Sequence, residues 1–233
     1  MVLRYQKCAI ESNSNATTAE PIVAPERFLL RCCIDVCGLV ASDGQTIQNI
    51  RMMQEPKQAV IALLPLLPIA PGDYLPSGAT EEQLISFQQR MGIIGPTQLL
   101  EWLSICNGPC VARGGVYGIR RDRQFLDIET RLASLPSWCG NNFIPVAGDG
   151  CGSEYVLSVT PVDGLHPVFF VDHEDDGVLE EPSYAVASSL WHFLRFLFRE
   201  ELGDEGWPFD SHKVLNEDAE ILKVENRLLA WNR

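Results

Sequence analysis

The chain has 233 residues, of which 46% are hydrophobic and 21% charged, a balance that supplies a core and excludes wholesale disorder. Its 18 lysines and arginines against 31 aspartates and glutamates leave a net charge of -13, which repels a phosphate backbone or an anionic membrane and suits a basic protein partner.

Residues 1–75 read as an N-terminal extension. Arg4 and Lys7 are followed by the polar stretch Glu11 to Glu20, so no signal-peptide pattern follows the first methionine. The first fifty residues carry no sustained helical or alternating period, and Met52-Met53 before Gln-Glu-Pro-Lys reads either as the true translation start or as lying within a mobile extension. Neither apolar run is a membrane span: Phe28 to Val40 is cut by Arg31 and Asp35, and Ala59 to Ala70 is short and carries Pro65 and Pro68. A cytoplasmic location is expected.

The breakers Pro65, Pro68, Pro71, Gly72, Pro76 and Gly78 lead into a domain expected over residues 76–205. Thr80 with Gln83 forms a capping box, Glu81 and Glu82 suit the positive end of the helix dipole, and Leu84, Phe87 and Met91 share a face until Gly92. A second helix begins near Pro96, carries Leu99, Leu100, Leu103 and Cys106 on its core face, and ends at Asn107-Gly108. Strands are predicted at Val116 to Ile119, Phe143 to Val146, Glu154 to Val159 and Val168 to Val171, with a short helix over 127–135. Val186 to Leu202 reads as a long apolar helix across the sheet, its polar stripe reduced to His192, Arg195 and Arg199, which pair with Glu200, Glu201 or sheet acids or else bind an anion. Residues 206–233 read as a tail in which Asn216 to Trp231 forms one more amphipathic helix. The expected fold is α+β: two leading helices, a mainly antiparallel sheet and a long apolar helix packed on one face.

Pro96, Trp102, Leu103, Asn107 and Gly108 fall at the steps of a P-x-x-Y-x-x-F-L-x-x-x-N-G pattern, with Leu99 in place of tyrosine and Gly95 in place of the leucine before the proline. Gly115, Tyr117 and Gly118 follow, then Asp149, Gly152 and Tyr155 in the run Phe143 to Tyr155, then Ser188 to Leu197. This ordered set, over roughly residues 78 to 203, resembles the SUKH superfamily, the Knr/Smi-type domain of fungal cell-wall-assembly regulators and bacterial toxin-immunity proteins. The resemblance implies a non-catalytic binding module without cofactors.

Three chemical readings are weaker. Asp172 to Gly177 matches the opening of a calcium loop, but position 12 is Ser183 and Pro182 opposes an exiting helix. Cys106, Cys110, Cys139 and Cys151 lack paired C-x-x-C spacing for zinc, and most of the eight cysteines read as reduced thiols. Cys151, with His166 or His173 as base, has Asp149 and Glu154 beside it, which disfavour a thiolate.

The function expected is therefore an immunity protein neutralising a polymorphic toxin, often a nuclease; the alternatives are a regulatory adaptor and, third, a thiol- or metal-dependent hydrolase. The expected partner is a basic toxin domain, met by the carboxylates of Asp172, Glu174, Asp175, Asp176, Glu180 and Glu181, which stand in one run without a lysine or arginine.

Overall fold

The computed structural model describes residues 56–69, 73–92, 95–135, 142–173 and 182–233. The chain divides into a unit of residues 1–51 and a unit of residues 52–233, and the expectations for the first fifty residues and for Met52-Met53 lie outside the described residues. Within these bounds the second unit is α+β, with six α-helices and a four-stranded antiparallel sheet among the described residues.

Helix α1, Pro56–Leu63, buries Val60 completely and packs on the late helix α5, Leu190–Glu201. Helix α2, Glu81–Met91, starts where the sequence places it: the Thr80 hydroxyl accepts from the Gln83 N–H at 3.2 Å, and the Gln83 side-chain Oε1 accepts from the Thr80 N–H at 2.8 Å. Gly92 ends it at φ 61°, a left-handed conformation that costs glycine little. Helix α3, Thr97–Ile105, has Pro96 at its N-cap and buries Leu99, Trp102 and Leu103. Helix α4, Ile128–Ser134, is capped by Asp127, whose carboxylate accepts from the Thr130 N–H at 3.0 Å.

Strands β1 (Phe143–Gly148), β2 (Glu154–Ser158), β3 (Val168–Val171) and β4 (Tyr184–Ala187) form an antiparallel meander in chain order. Pro145 has no N–H to give and sits on the edge strand β1, where the register shifts. The strand predicted at Val116 to Ile119 is not formed: Val116 and Gly118 make only isolated bridges, to Ala147 and Asp127. The Asn107 side chain takes the backbone hydrogen bonds of Ile119 that a ladder would use. Both sheet edges are nevertheless covered, β1 by Val116 and β4 by a bridge from Ala185 to Leu229.

The long apolar helix over Val186 to Leu202 is corrected. Val186 and Ala187 belong to β4, and α5 spans Leu190–Glu201, twelve residues with seven buried. Ser188 and Ser189 break the chain between them, and the Ser189 hydroxyl accepts from the His192 N–H at 3.3 Å as the cap. The predicted tail helix is also corrected: α6 covers Ser211–Glu217, and three short 3-10 turns follow at Ala219–Lys223, Asn226–Leu228 and Ala230–Asn232. Helix α6 stops because Asp218 turns inward to hydrogen-bond Ser188.

Trp102 centres the helical layer, edge-on to Trp191 at 6.3 Å and tilted against Phe198 at 5.9 Å. On the sheet, Tyr155 meets Phe193 at 5.0 Å and Trp207 at 5.9 Å, and the Trp207 indole donates to the Val186 carbonyl at 2.9 Å. Each buried aromatic or leucine of α5 contributes about 1.5–3 kcal/mol of burial before entropy is counted. No helix among the described residues is long and apolar enough to cross a membrane.

Candidate functional site

The motif residues converge on a brace between α3 and the β1–β2 hairpin. The Asn107 side chain donates to the Ile119 carbonyl at 3.1 Å and accepts from the Ile119 N–H at 2.7 Å, copying one step of strand pairing. Gly118 passes so close that a Cβ there would lie 2.5 Å from the Gly108 nitrogen, and Gly108 itself has φ 71°. Arg120 closes the same turn, donating to the Gly108 carbonyl at 2.9 Å. Tyr117 donates its N–H to Val146 at 2.8 Å, and its hydroxyl fills the space a side chain at Gly148 would need.

Asp149 organises the hairpin turn, one carboxylate oxygen accepting from the Cys151 N–H at 2.7 Å and the Ser153 N–H at 2.9 Å, with Gly150 and Gly152 at positive φ. Pro96, Trp102, Leu103 and Tyr155 complete the set as helix start and core, Leu103 accepting from the Ala79 N–H at 2.7 Å. These ten residues build the scaffold.

The acidic stretch divides differently. Asp172 closes the base of the β3–β4 connection, its N–H donating to the Ser183 hydroxyl at 3.1 Å and its carboxylate 3.7 Å from His173 Nδ1. Glu174, Asp175, Asp176, Glu180 and Glu181 lie outside the described residues, as does most of the calcium-like loop.

The thiol chemistry separates by burial. Cys106 is enclosed, and burial pushes its thiol up to about 12, so it stays protonated at neutral pH. Cys110 is half-buried and raised for the same reason, Cys151 is exposed, and Cys139 lies outside the described residues. His173 spends Nδ1 on the Ser153 hydroxyl at 3.0 Å, the same nitrogen that faces Asp172, so the three do not form a relay. His166 Nδ1 is engaged by the Ser158 carbonyl at 3.0 Å. Among the described residues no group of three or more His, Cys, Asp or Glu side chains is placed to hold a metal ion.

The polar stripe of α5 is covered by the tail. Arg195 pairs with Glu217 at 2.6 Å, Arg199 with Glu217 and with Asp204 at 2.6 Å, and His192 stands 3.6 Å from Asp218. The expected partners Glu200, Glu201 and sheet acids are replaced by acids that precede and end α6. Their only sequence signal is the acidic character of residues 204–218, which does not specify a target.

Elsewhere the cations are similarly committed. Lys57 pairs with Glu101, Arg90 and Arg121 with Glu129, Arg120 with Asp122, Arg123 with Asp73 and Arg131 with Glu154. Lys213, Lys223 and Arg227 also face carboxylates. Glu81, Glu82, Asp163, Glu201 and Glu205 make no ion pair among the described residues. A shallow cleft of about 370 Å³ between α2 and residues 119–122 is lined by Glu82, Gln83, Ser86, Arg90, Ile119, Arg121 and Asp122. Its Arg90 is held by both oxygens of Glu129, at 2.7 and 3.0 Å, and it contains no nucleophile paired with a base. Most cations of the described surface therefore face a carboxylate, and several carboxylates are left over.

No curated protein matches the chain. The sequence model of the SMI1 / KNR4 family (SUKH-1) matches residues 78–195, which run from the approach to α2 into the middle of α5 and contain the whole brace and the whole sheet. The match covers half of the sequence, and the chain belongs to the SMI1 / KNR4 (SUKH-1) family.

Proposed function

We propose that this protein is a non-catalytic binding module acting in the cytoplasm, an immunity protein that neutralises a basic toxin domain. The observation that carries the reading is the charge arrangement. Most lysines and arginines of the described surface face a carboxylate of the same chain, while exposed carboxylates remain and the segment 172–181 adds six more without a lysine or arginine. Such a surface accelerates encounter with a basic protein and rejects acidic ones. Membership in the SUKH family supports it, since these are typically non-catalytic immunity or regulatory proteins.

In this reading Asp172, Glu174, Asp175, Asp176, Glu180 and Glu181 steer the partner, and the motif residues keep the scaffold rigid behind them. The test takes the toxin domain encoded beside this gene and measures association by stopped flow at low and high salt. Wild-type protein binds stoichiometrically, inhibits the toxin and associates faster at low salt. Reversing Asp175 and Asp176 to lysine slows association and flattens its salt dependence with the fold intact. A neighbouring toxin that is neither bound nor inhibited removes the immunity reading and leaves the regulatory adaptor; unchanged rates in the double variant remove the acidic segment from the interface.

A further inference from the structure

One line of rings runs from the core to the surface. Tyr155 packs against Phe170 at 5.3 Å, Phe170 stacks on Tyr184 at 5.1 Å with 23° between planes, and Tyr184 meets Phe209 at 5.5 Å. Tyr155 and Phe170 are half-buried, as is Tyr184, whereas Phe209 at the end of the line is 56% exposed. Phe209 is held in a tight turn, its N–H and that of Asp210 both donating to the Gly206 carbonyl, at 3.0 and 2.7 Å. An exposed aromatic side chain fixed by its backbone and by a neighbouring ring loses little entropy on binding, the property of an interface anchor.

The occupant follows from charge. The guanidinium of Arg233 stands 6.0 Å above the Tyr184 ring, so this ring already receives a cation. Phe170 and Tyr184 also bracket in sequence the run that contains six carboxylates and no lysine or arginine. Resting on the binding function proposed above, we infer that Tyr184 and Phe209 form the docking point for an arginine side chain of the basic partner, and that Arg233 is its internal stand-in. Arginine is preferred over lysine because its flat, weakly hydrated guanidinium stacks on aromatic faces.

The probe is an acetylated, amidated hexa-arginine peptide, with hexa-lysine of equal charge as comparison, titrated calorimetrically into the full chain at low salt. Wild-type protein binds hexa-arginine several-fold more tightly than hexa-lysine. Phe209→Ala, at an exposed position, weakens hexa-arginine about 2–5-fold and leaves hexa-lysine unchanged, as loss of an exposed cation–π contact requires. Arg233→Ala, which vacates the Tyr184 ring, strengthens hexa-arginine binding. Tyr184→Leu abolishes the arginine preference, with circular dichroism to verify its fold. Equal binding of both peptides, unaltered by Phe209→Ala, overturns the docking point while leaving an acidic binding protein in place. Failure of wild-type protein to bind hexa-arginine overturns it as well, and the toxin titration independently decides the wider reading.

Discussion

Asp218 accepts two hydrogen bonds from Ser188, one from the backbone N–H at 2.7 Å and one from the hydroxyl. Ser188 is the turn between β4 and α5, inside the family-matched segment, whereas Asp218 lies beyond it. A carboxylate outside that segment thus closes the strand-to-helix junction within it. Asp218→Ala leaves the buried Ser188 N–H without an acceptor and its hydroxyl with only His192 Nδ1 at 3.3 Å, at roughly 1–3 kcal/mol for the orphaned group. Asp218→Asn keeps one oxygen and loses less. Urea unfolding at constant slope measures both, and equal losses would assign the effect to charge instead of hydrogen bonding.

His192 gives that junction a pH dependence. Its Nδ1 lies 2.9 Å from the Ser189 hydroxyl and 3.3 Å from that of Ser188, with Asp218, Glu217 and Arg195 around the ring. Burial holds its pKa below the ordinary 6.5 and Arg195 adds to this, outweighing the opposite pull of Asp218 and Glu217. Asp218 is already occupied by Ser188, which weakens its pull. Below pH ~6.5 the unfolded chain therefore binds the proton more readily than the folded one. The stability contributed by neutral His192 is present above that pH and is lost as pH falls through the lowered folded value. His192→Gln should flatten the fall in urea midpoint over that window; an identical slope in wild type and variant refutes the assignment.

Glu154 sits in the central strand β2 with its carboxylate almost wholly buried and, among the described residues, only Arg131 paired to it, while the Arg131 guanidinium also lies 5.6 Å over the Tyr117 ring. Removing the cation leaves a buried charge without compensation. Arg131→Met should cost about 3 kcal/mol, the lower end for a broken buried pair, because the arginine is itself partly exposed. Adding Glu154→Gln should recover part of this in thermal unfolding. No recovery would mean that Arg131 acts by packing on Tyr117 alone.

Local signals were legible in the sequence, and long-range ones were not. The Thr80–Gln83 box and the Gly92 stop were readable because capping depends on residues within one turn. Asn107-Gly108 was readable as a helix end, but the pairing of Asn107 with Ile119, which replaces a strand there, depends on a contact twelve residues away. Val186 and Ala187 continue an apolar run into α5, and a short apolar run has no period that separates buried strand from helix; Ser188-Ser189 was the available boundary. The stripe of His192, Arg195 and Arg199 was correctly placed on one helix face. Its partners were assigned to neighbours in sequence, because nothing local to residues 204–218 reveals that they fold back onto α5.

Helix α1 lies before the family-matched segment yet belongs to its core. Val60 is fully buried, α1 packs on α5, and Lys57 pairs with Glu101 at 2.7 Å while standing over the Trp191 ring at 5.4 Å. Val60→Ala should cost about 2 kcal/mol, within the range for a buried valine, whereas Ile61→Ala on the exposed side should cost far less. A chain shortened to begin at Pro76 should melt at a lower temperature than either. An unchanged melting temperature would show α1 to be dispensable.

The thiols make the last test, because burial alone ranks them. Cys106 ends α3 under the brace, with its pKa pushed up to about 12, so alkylation requires both exposure of the sulfur and loss of a tightly held proton. Cys151 stands exposed in the turn organised by Asp149, so its sulfur is already accessible. Treating the native chain with iodoacetamide near pH 8 and mapping the modified peptides by mass spectrometry should label Cys151 rapidly. Cys106 should react only in denaturant, with the half-buried Cys110 between them. Labelling of Cys106 in the native chain at the rate of Cys151 would mean that the end of α3 opens readily, and the Asn107 brace would then not be the rigid support of the hairpin.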